Sequence, residues 1–262
     1  MIRYKILETG IFLADGGAMF GAIPKRAWSK KYPADLDNCC RLAMNCLLVW
    51  NGERVVLFDT GVGTKKLDAL SYYNFSRGKN LVELIRKEGF EPEQVTDVVL
   101  SHLHFDHCGG CTEDINLFET KVVFSKARHW VSKDQLQSFL NPNEFEKDSY
   151  RLKDITPVMS AGLLRLIDTN FELFDGVQLK LFDGHTKGQI VSFINTEDDF
   201  WVFPGDLFPT KAHLSDSWIS AYDIEPLKSL EEKKQFKKLL EGEKAKILFY
   251  HDANSITHEV CF

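Results

Sequence analysis

Residues 101–107 read Ser-His-Leu-His-Phe-Asp-His, so His102, His104, Asp106 and His107 set three imidazoles and a carboxylate within six positions. They follow directly on an apolar run, Val98-Val99-Leu100. Neutral imidazole and carboxylate are the side chains that hold divalent transition metals. Without an ion, a cluster this dense would set imidazoles against one another with no charge to order them. If the chain stays extended past Leu100, His102 and His104 lie one strand period apart and point the same way, so both reach one ion. Asp106 and His107 are adjacent and would diverge on an extended chain. A turn or helix start is therefore needed for both to face a second ion, and Gly109-Gly110 supply conformational freedom just beyond.

Three later stretches repeat the form of an apolar run closing on a ligand-type residue. Leu181-Phe182-Asp183-Gly184-His185-Thr186 presents His185, Trp201-Val202-Phe203-Pro204-Gly205-Asp206 presents Asp206, and Ile247-Leu248-Phe249-Tyr250-His251-Asp252 presents His251. Alone, each is a weak signal, because a histidine at a strand end is more often a hydrogen-bonded structural residue. Joined to the 101–107 cluster they gain weight, since loops at one edge of stacked sheets gather residues far apart in sequence.

Such an edge requires strands to build it. Ile2, Tyr4 and Ile6, then Ile11 and Leu13, predict one or two strands around Gly10. From Asp15 to about Asn38 the chain reads as a long loop, and exposed Met19, Phe20 and Trp28 would be unusual there unless they form a lid or binding wall. Arg41 to Trp50 and Glu53 to Phe58 form a hairpin about Asn51-Gly52, the second strand running into Asp59-Thr60-Gly61. A helix from Asn80 to Gly89 precedes the strand Asp97 to Leu100. Beyond the cluster the patterns predict a strand over 121–124, helices over 127–137 and 157–167, and strands over 171–174, 177–182, 190–195 and 200–203. A helix over 226–240 follows, with Leu227, Leu230, Phe236, Leu239 and Leu240 inward and its charges solvated. A last strand covers 246–250. Two β-rich halves with no linker between them predict an α+β fold, an αββα sandwich of two packed mixed sheets flanked by helices, as one domain over 1–262.

Composition narrows the function classes. The 262 residues are 44% hydrophobic and 27% charged with a net charge of −6, which suits a soluble protein and argues against a nucleic-acid surface. The densest basic stretch, Lys228 to Lys238, is interrupted by Glu231 and Glu232. The start, Met1-Ile-Arg-Tyr-Lys, lacks the apolar stretch of a signal peptide, no run reaches membrane-spanning length, and a cytoplasmic location is expected. Six cysteines without a compact spacing suit a reducing compartment. Cys108-x-x-Cys111 has the letters of a redox motif but sits in the glycine loop after His107, and reads as packed thiols.

The ordered set, H-x-H-x-D-H followed by His185, Asp206 and His251, resembles the metallo-β-lactamase superfamily. Asp59-Thr60-Gly61 and Asp183-Gly184-His185-Thr186 match it too, and the resemblance spans residues 45 to 255. Lys187 and Gln189 depart from it where the family often has Pro and His. The resemblance implies one metal held by His102, His104 and His185, a second by Asp106, His107 and His251, and Asp206 bridging them. Asp59 is expected to orient ligands by hydrogen bonds, to cap its turn, or both. Two carboxylates and five neutral imidazoles would leave two divalent ions with about two uncompensated positive charges. That charge acidifies water and stabilises a developing anion. Zinc is the expected metal, with Mn, Fe or Co able to occupy the same shell.

Within the family the chain resembles the quorum-quenching N-acyl-homoserine lactonases and the methyl-parathion-hydrolase-like enzymes. The resemblance rests on the full ligand set, the Asp15-Gly-Gly-Ala-Met-Phe loop and Ala221-Tyr222-Asp223. It implies a lactone or ester opened by a hydroxide bridging the metals, with Asp106 and Asp206 catalytic and Tyr222 reaching the substrate carbonyl. Met19, Phe20, Trp28 and Tyr222, with Tyr73 and Phe75 as weaker candidates, are expected to line a groove for an acyl tail. The alternatives are a phosphotriesterase or arylesterase of the same fold and, from another class, a non-heme iron oxidoreductase resembling the persulfide dioxygenases. An RNA-processing nuclease is disfavoured by the acidic charge. The expected partner is a small-molecule substrate, with no nucleic acid and no membrane; a homodimer is left open.

Overall fold

A computed structural model describes residues 1–66, 68–77, 80–116 and 118–262. The chain opens with β1 (Arg3–Asp15), a single strand whose pairing register shifts between Glu8 and Ile11, which takes up Gly10. Two short helices follow, α1 (Gly16–Phe20) and α2 (Lys25–Trp28), within the stretch whose composition reads as loop. Asp15 caps α1 by accepting from the amides of Gly17 and Ala18. Met19, Phe20 and Trp28 are all buried rather than exposed.

Next come β2 (Cys39–Trp50) and β3 (Val55–Phe58). Their turn is four residues long, not two. Trp50 pairs with Val55, and the Asn51 side chain accepts from the amides of Glu53 and Arg54, so Glu53 lies in the turn. After β4 (Ser76–Arg77) and α3 (Leu81–Lys87), capped by Asn80, the strand β5 (Asp97–Val99) leads into α4 (Phe105–Cys108). The hairpin of β6 (Thr112–Asp114) and β7 (Thr120–Val122) stands apart as a two-stranded sheet.

Two predicted helices are corrected. Within 127–137 lies β8 (Arg128–Ser132), and the helix, α5 (Lys133–Leu140), starts only where the Ser132 hydroxyl caps the Gln135 amide. Within 157–167, α6 (Leu152–Ser160) ends before Gly162, whose φ of +68° turns the chain into β9 (Leu164–Ile167). In both cases a parallel ladder takes the segment: β8 pairs with β5 and β9 with β8.

The second half contains β10 (Phe171–Phe174), β11 (Val177–Phe182), β12 (Gln189–Asn195) and β13 (Phe200–Phe203). α7 (Pro226–Leu239), β14 (Lys244–Leu248) and an unpredicted edge strand, β15 (Thr257–Cys261), complete the chain. The seven-stranded sheet has the order β4-β1-β2-β3-β5-β8-β9 and the six-stranded sheet runs from β10 to β15 in sequence order. Within them β3-β5-β8-β9 and β13-β14 are parallel. One core cluster joins the sheets, including Leu48, Val56 and Leu57 from the first and Leu179, Ile190 and Phe203 from the second. A second cluster lies beneath α7, where buried Phe236 packs on Phe193 and Phe208. Burying Phe236 contributes about 2–3 kcal/mol.

The buried face of α7 differs from the periodic reading. Leu227 is 76% and Leu239 47% exposed, whereas Ser229, Glu232 and Lys233 are buried with Phe236. No helix among the described residues is long and apolar enough to cross a membrane.

Candidate metal centre

Each ligand-type residue follows the C-terminal end of a strand. His102 and His104 come after β5, His185 after β11, Asp206 after β13 and His251 after β14. Asp106 and His107 lie on α4, the helix start that turns both side chains to one side. The structure brings all seven together. Nitrogen or oxygen atoms of His102, His104 and His185 lie within 4.8 Å of one another, and the same holds for Asp106, His107 and His251 and for His102, His107 and Asp206. Asp206 stands between the groups, its Oδ1 3.3 Å from His251 Nε2 and 3.5 Å from His107 Nε2, its Oδ2 3.5 Å from His185 Nε2.

The second nitrogen of every imidazole is tied down. His107 Nδ1 lies 2.8 Å from Asp59 Oδ2, His185 Nδ1 3.0 Å from Asp223 Oδ1 and His251 Nδ1 2.9 Å from the Ala43 carbonyl. Acceptors there place a proton on these nitrogens, so that in the neutral imidazole the Nε2 lone pair faces the centre. His104 is held the other way round, Nε2 against Glu146 Oε1 at 3.1 Å, which leaves Nδ1 to the centre. The Ser101 hydroxyl donates to Asp59 at 2.6 Å and so accepts from His102 Nδ1 at 3.0 Å. The atoms left over, His102 Nε2, His185 Nε2 and Asp206 Oδ1, are buried without a hydrogen-bond partner. Orphaned acceptors converging on a carboxylate-lined centre are what a cation would satisfy, so the residues fit the metal that their chemistry implies.

The carboxylates give the centre a negative potential that draws positive charge. Burial lowers the His107 pKa, yet the Asp206, Asp106 and Asp59 carboxylates outweigh it and hold the group well above its ordinary value. Burial likewise opposes the charge on Asp206, but His251 and His107 keep its carboxyl well below the usual range. Burial and the neighbouring imidazoles press His102 down, well below its ordinary value. Burial also raises Glu146, but hydrogen bonds from His104, Thr186 and Tyr150 prevail and bring it to about 2.

Asp59 sits in the left-handed region at φ +55° and is fully buried. Its Oδ1 accepts from the Ser101 amide at 2.7 Å, so the carboxylate both fixes the turn and holds His107. Gln189, one of the two departures from the family pattern, is buried and accepts from the Asp206 amide at 2.9 Å. Glu146, Asp223, Ser101 and Gln189 escape a reading of the sequence alone. Asp223 had a signal, standing beside Tyr222, whereas Glu146 lies in a charged stretch with none.

A cavity of about 220 Å3 opens onto the centre. Its floor includes His104, Asp106, His185, Asp206 and His251, and its walls include Phe12, Met19, Leu42, Phe105 and Tyr222. Tyr73 lines it as well. Phe20 and Trp28 do not line it. They stack on each other at 4.9 Å behind the wall, with Phe20 also stacked on His213, because rings of this size bury more area there than at the rim. Phe75 packs on Phe12 and is likewise outside the lining. Cys108 and Cys111 are buried free thiols, their pKa values raised by burial.

Buried imidazoles and carboxylates of this arrangement, at the strand ends of a two-sheet sandwich, define a metal-dependent hydrolase. The chain belongs to the metallo-beta-lactamase superfamily, whose family model matches residues 41–251. The N-acyl homoserine lactonase AiiA of Bacillus thuringiensis subsp. kurstaki is 26% identical over 219 residues, covering 79% of this chain and 80% of that protein. The crystal structure of a probable metal-dependent hydrolase from Staphylococcus aureus superposes with a TM-score of 0.89 at 30% identity, over 99% of this chain and 92% of that one. AidC, a dizinc quorum-quenching lactonase, shares the fold with a TM-score of 0.79 at 24% identity, over 100% and 91% of the two chains.

Proposed function

We propose that the chain opens a lactone, or hydrolyses a related ester, with two divalent ions, zinc foremost. The observation that carries this reading is an apolar-walled cavity whose floor is the ligand cluster and whose wall holds a phenol. An uncharged substrate with an apolar tail suits such walls, and its carbonyl would sit at the floor. The lactone is ranked above the phosphotriester because relatives such as AiiA are N-acyl homoserine lactonases.

His102, His104 and His185 would hold one ion, Asp106, His107 and His251 the other, with Asp206 contributing to both. When bound, the ions supply Lewis acidity that acidifies a water and polarises the ester carbonyl. Tyr222 donates its hydroxyl proton in a hydrogen bond to the carbonyl oxygen as negative charge develops there. The proton released as water adds to the carbonyl carbon is passed, by Asp206 or through a water, to the ring oxygen as the C–O bond breaks. Met19 and Phe12 exclude water from the tail side of the cavity.

Initial rates of the zinc-loaded protein on N-hexanoyl-homoserine lactone, a paraoxon-type phosphotriester and a penicillin test the reading. The lactone is expected to have the highest kcat/KM, and its absence of turnover overturns the proposal. Tyr222→Phe is expected to lower lactone kcat about 100-fold with metal content unchanged. Unaltered turnover removes Tyr222 from the mechanism.

A further inference from the structure

The buried charges of α7 are not explained by helix docking, which apolar side chains would achieve without desolvating an ion. Glu232 and Lys233 are 3% and 1% exposed. Neighbours on a helix point about 100° apart and do not face each other, so the two charges serve different partners. Glu232 accepts from the amides of Asp183 and Gly184, each at 2.8 Å, with one carboxylate oxygen apiece. Those amides belong to the two residues before His185. The grip is reinforced from the same side, since the Glu225 amide donates to the Gly184 carbonyl and the Ile224 amide to the His185 carbonyl. A Cβ on Gly184 would lie 2.5 Å from the Ser229 backbone, so the loop and α7 touch main chain to main chain.

Lys233 reaches the other way. Its ammonium donates to the carbonyls of His213, at 3.0 Å, and Trp218. His213 Nε2 in turn lies 2.8 Å from the Met19 carbonyl, while the Ala221 amide and the Ser220 hydroxyl donate to the Ala18 carbonyl. The Ser220 hydroxyl also accepts from the Tyr222 amide. One cation thus secures the segment that presents both Met19 and Tyr222 to the cavity.

We infer that Glu232 and Lys233 are separate positioning residues on one helix, Glu232 setting the His185 ligand and Lys233 setting the Met19 and Tyr222 wall. The inference rests on the metal-dependent reading above, and it predicts that the two functions come apart. Glu232→Gln, nearly isosteric, cannot accept from both amides. It is expected to weaken the binding of one zinc about 10-fold or more in a chelator competition titration, with KM for the lactone near wild type. Lys233→Met is expected to leave both zinc affinities unchanged, raise KM several-fold and speed hydrogen exchange of the amides in residues 218–222. Should Lys233→Met not fold, Lys233→Gln retains uncharged N–H donors on a shorter side chain and carries the same test. Leu227→Ala, on the exposed face, should change none of these.

If both variants lower the melting temperature but leave zinc affinity, KM and exchange at wild-type values, the charges are anchors only and the inference falls. It falls also if each variant perturbs zinc and substrate alike. Wild-type protein that binds no zinc overturns the metal-dependent reading instead, so the two failures are told apart by the titration.

Discussion

Asp59→Asn is the sharpest probe of how the centre is held. Asparagine tolerates the left-handed backbone at φ +55° and matches aspartate in volume, so the change is confined to one side-chain atom and one charge. The carboxylate accepts from three donors: the Ser101 amide at 2.7 Å, the Ser101 hydroxyl at 2.6 Å and His107 Nδ1 at 2.8 Å. An amide has only one oxygen to offer them. If its nitrogen faces the Ser101 amide, two donors meet in a buried site, at a cost of about 1–3 kcal/mol. If its nitrogen faces His107, that imidazole must become an acceptor at Nδ1 and carry its proton on Nε2, the atom aimed at the centre. The first arrangement loosens the turn that carries the ligands and the second takes the His107 lone pair from the centre, and loss of such a support weakens metal binding by about 10- to 100-fold, or about 1.4–2.7 kcal/mol. Competition titration with a chromophoric chelator would resolve the two zinc equivalents proposed above. The equivalent that depends on Asp106, His107 and His251 should weaken while the other stays near wild type. Two unchanged affinities would refute the role given to Asp59.

Three further changes test the fold that carries the centre. Burial lowers the pKa of His129 to about 4, so it stays neutral in the folded chain while the unfolded chain protonates near 6.5. Its contribution, about 3 kcal/mol, is full above pH 6.5 and is lost as pH falls towards 4. His129→Leu should therefore reduce the pH slope of the unfolding free energy by about 1.4 kcal/mol per unit in that window, measured by urea titration. Gly110→Ala would place a Cβ 2.2 Å from the Thr60 carbonyl oxygen, backbone that cannot yield, and should destabilise by about 3 kcal/mol in the same assay. Lys65→Met leaves Asp154, its ion-pair partner at 3.0 Å, charged in a dry site and should cost about 3–5 kcal/mol; adding Asp154→Leu should recover part of the loss.

The ligand residues were readable because their chemistry is dense and local. His102, His104, Asp106 and His107 need only one strand end and one helical turn, and the apolar runs before His185, Asp206 and His251 announce strand ends. The supporting residues depend on distance. Glu146 meets His104 from 42 positions away, and nothing in Asn143-Glu144-Phe145-Glu146 distinguishes it from a solvated stretch. Helix 226–240 forms where its periodicity predicts, with Phe236 and Leu240 inward, but Leu227 and Leu239 are exposed in favour of buried charges for the same reason. Its inward charges make sense only beside Asp183, Gly184, His213 and Trp218, main-chain partners that periodicity cannot supply. Local signals blurred together at 127–137, where a short buried strand runs straight into a helix, and at 157–167, where the order is reversed. Asn51-Gly52 did mark a hairpin, but the Asn51 side chain lengthened its turn beyond the two-residue form.

The parallel pairing of β3 with β5 and of β13 with β14 has a mechanical consequence. Parallel neighbours end on the same edge, so Asp59 and His102 emerge together from one sheet, and Asp206 and His251 from the other. Each three-residue ligand group spans that divide, with His102 and His104 meeting His185, and Asp106 and His107 meeting His251. An ion held by either group would be a clasp across the sandwich, tied to ligands that follow strands of both sheets. In the two-zinc reading proposed above, the rate of zinc escape to a chelator would report the parting of the two layers at that edge.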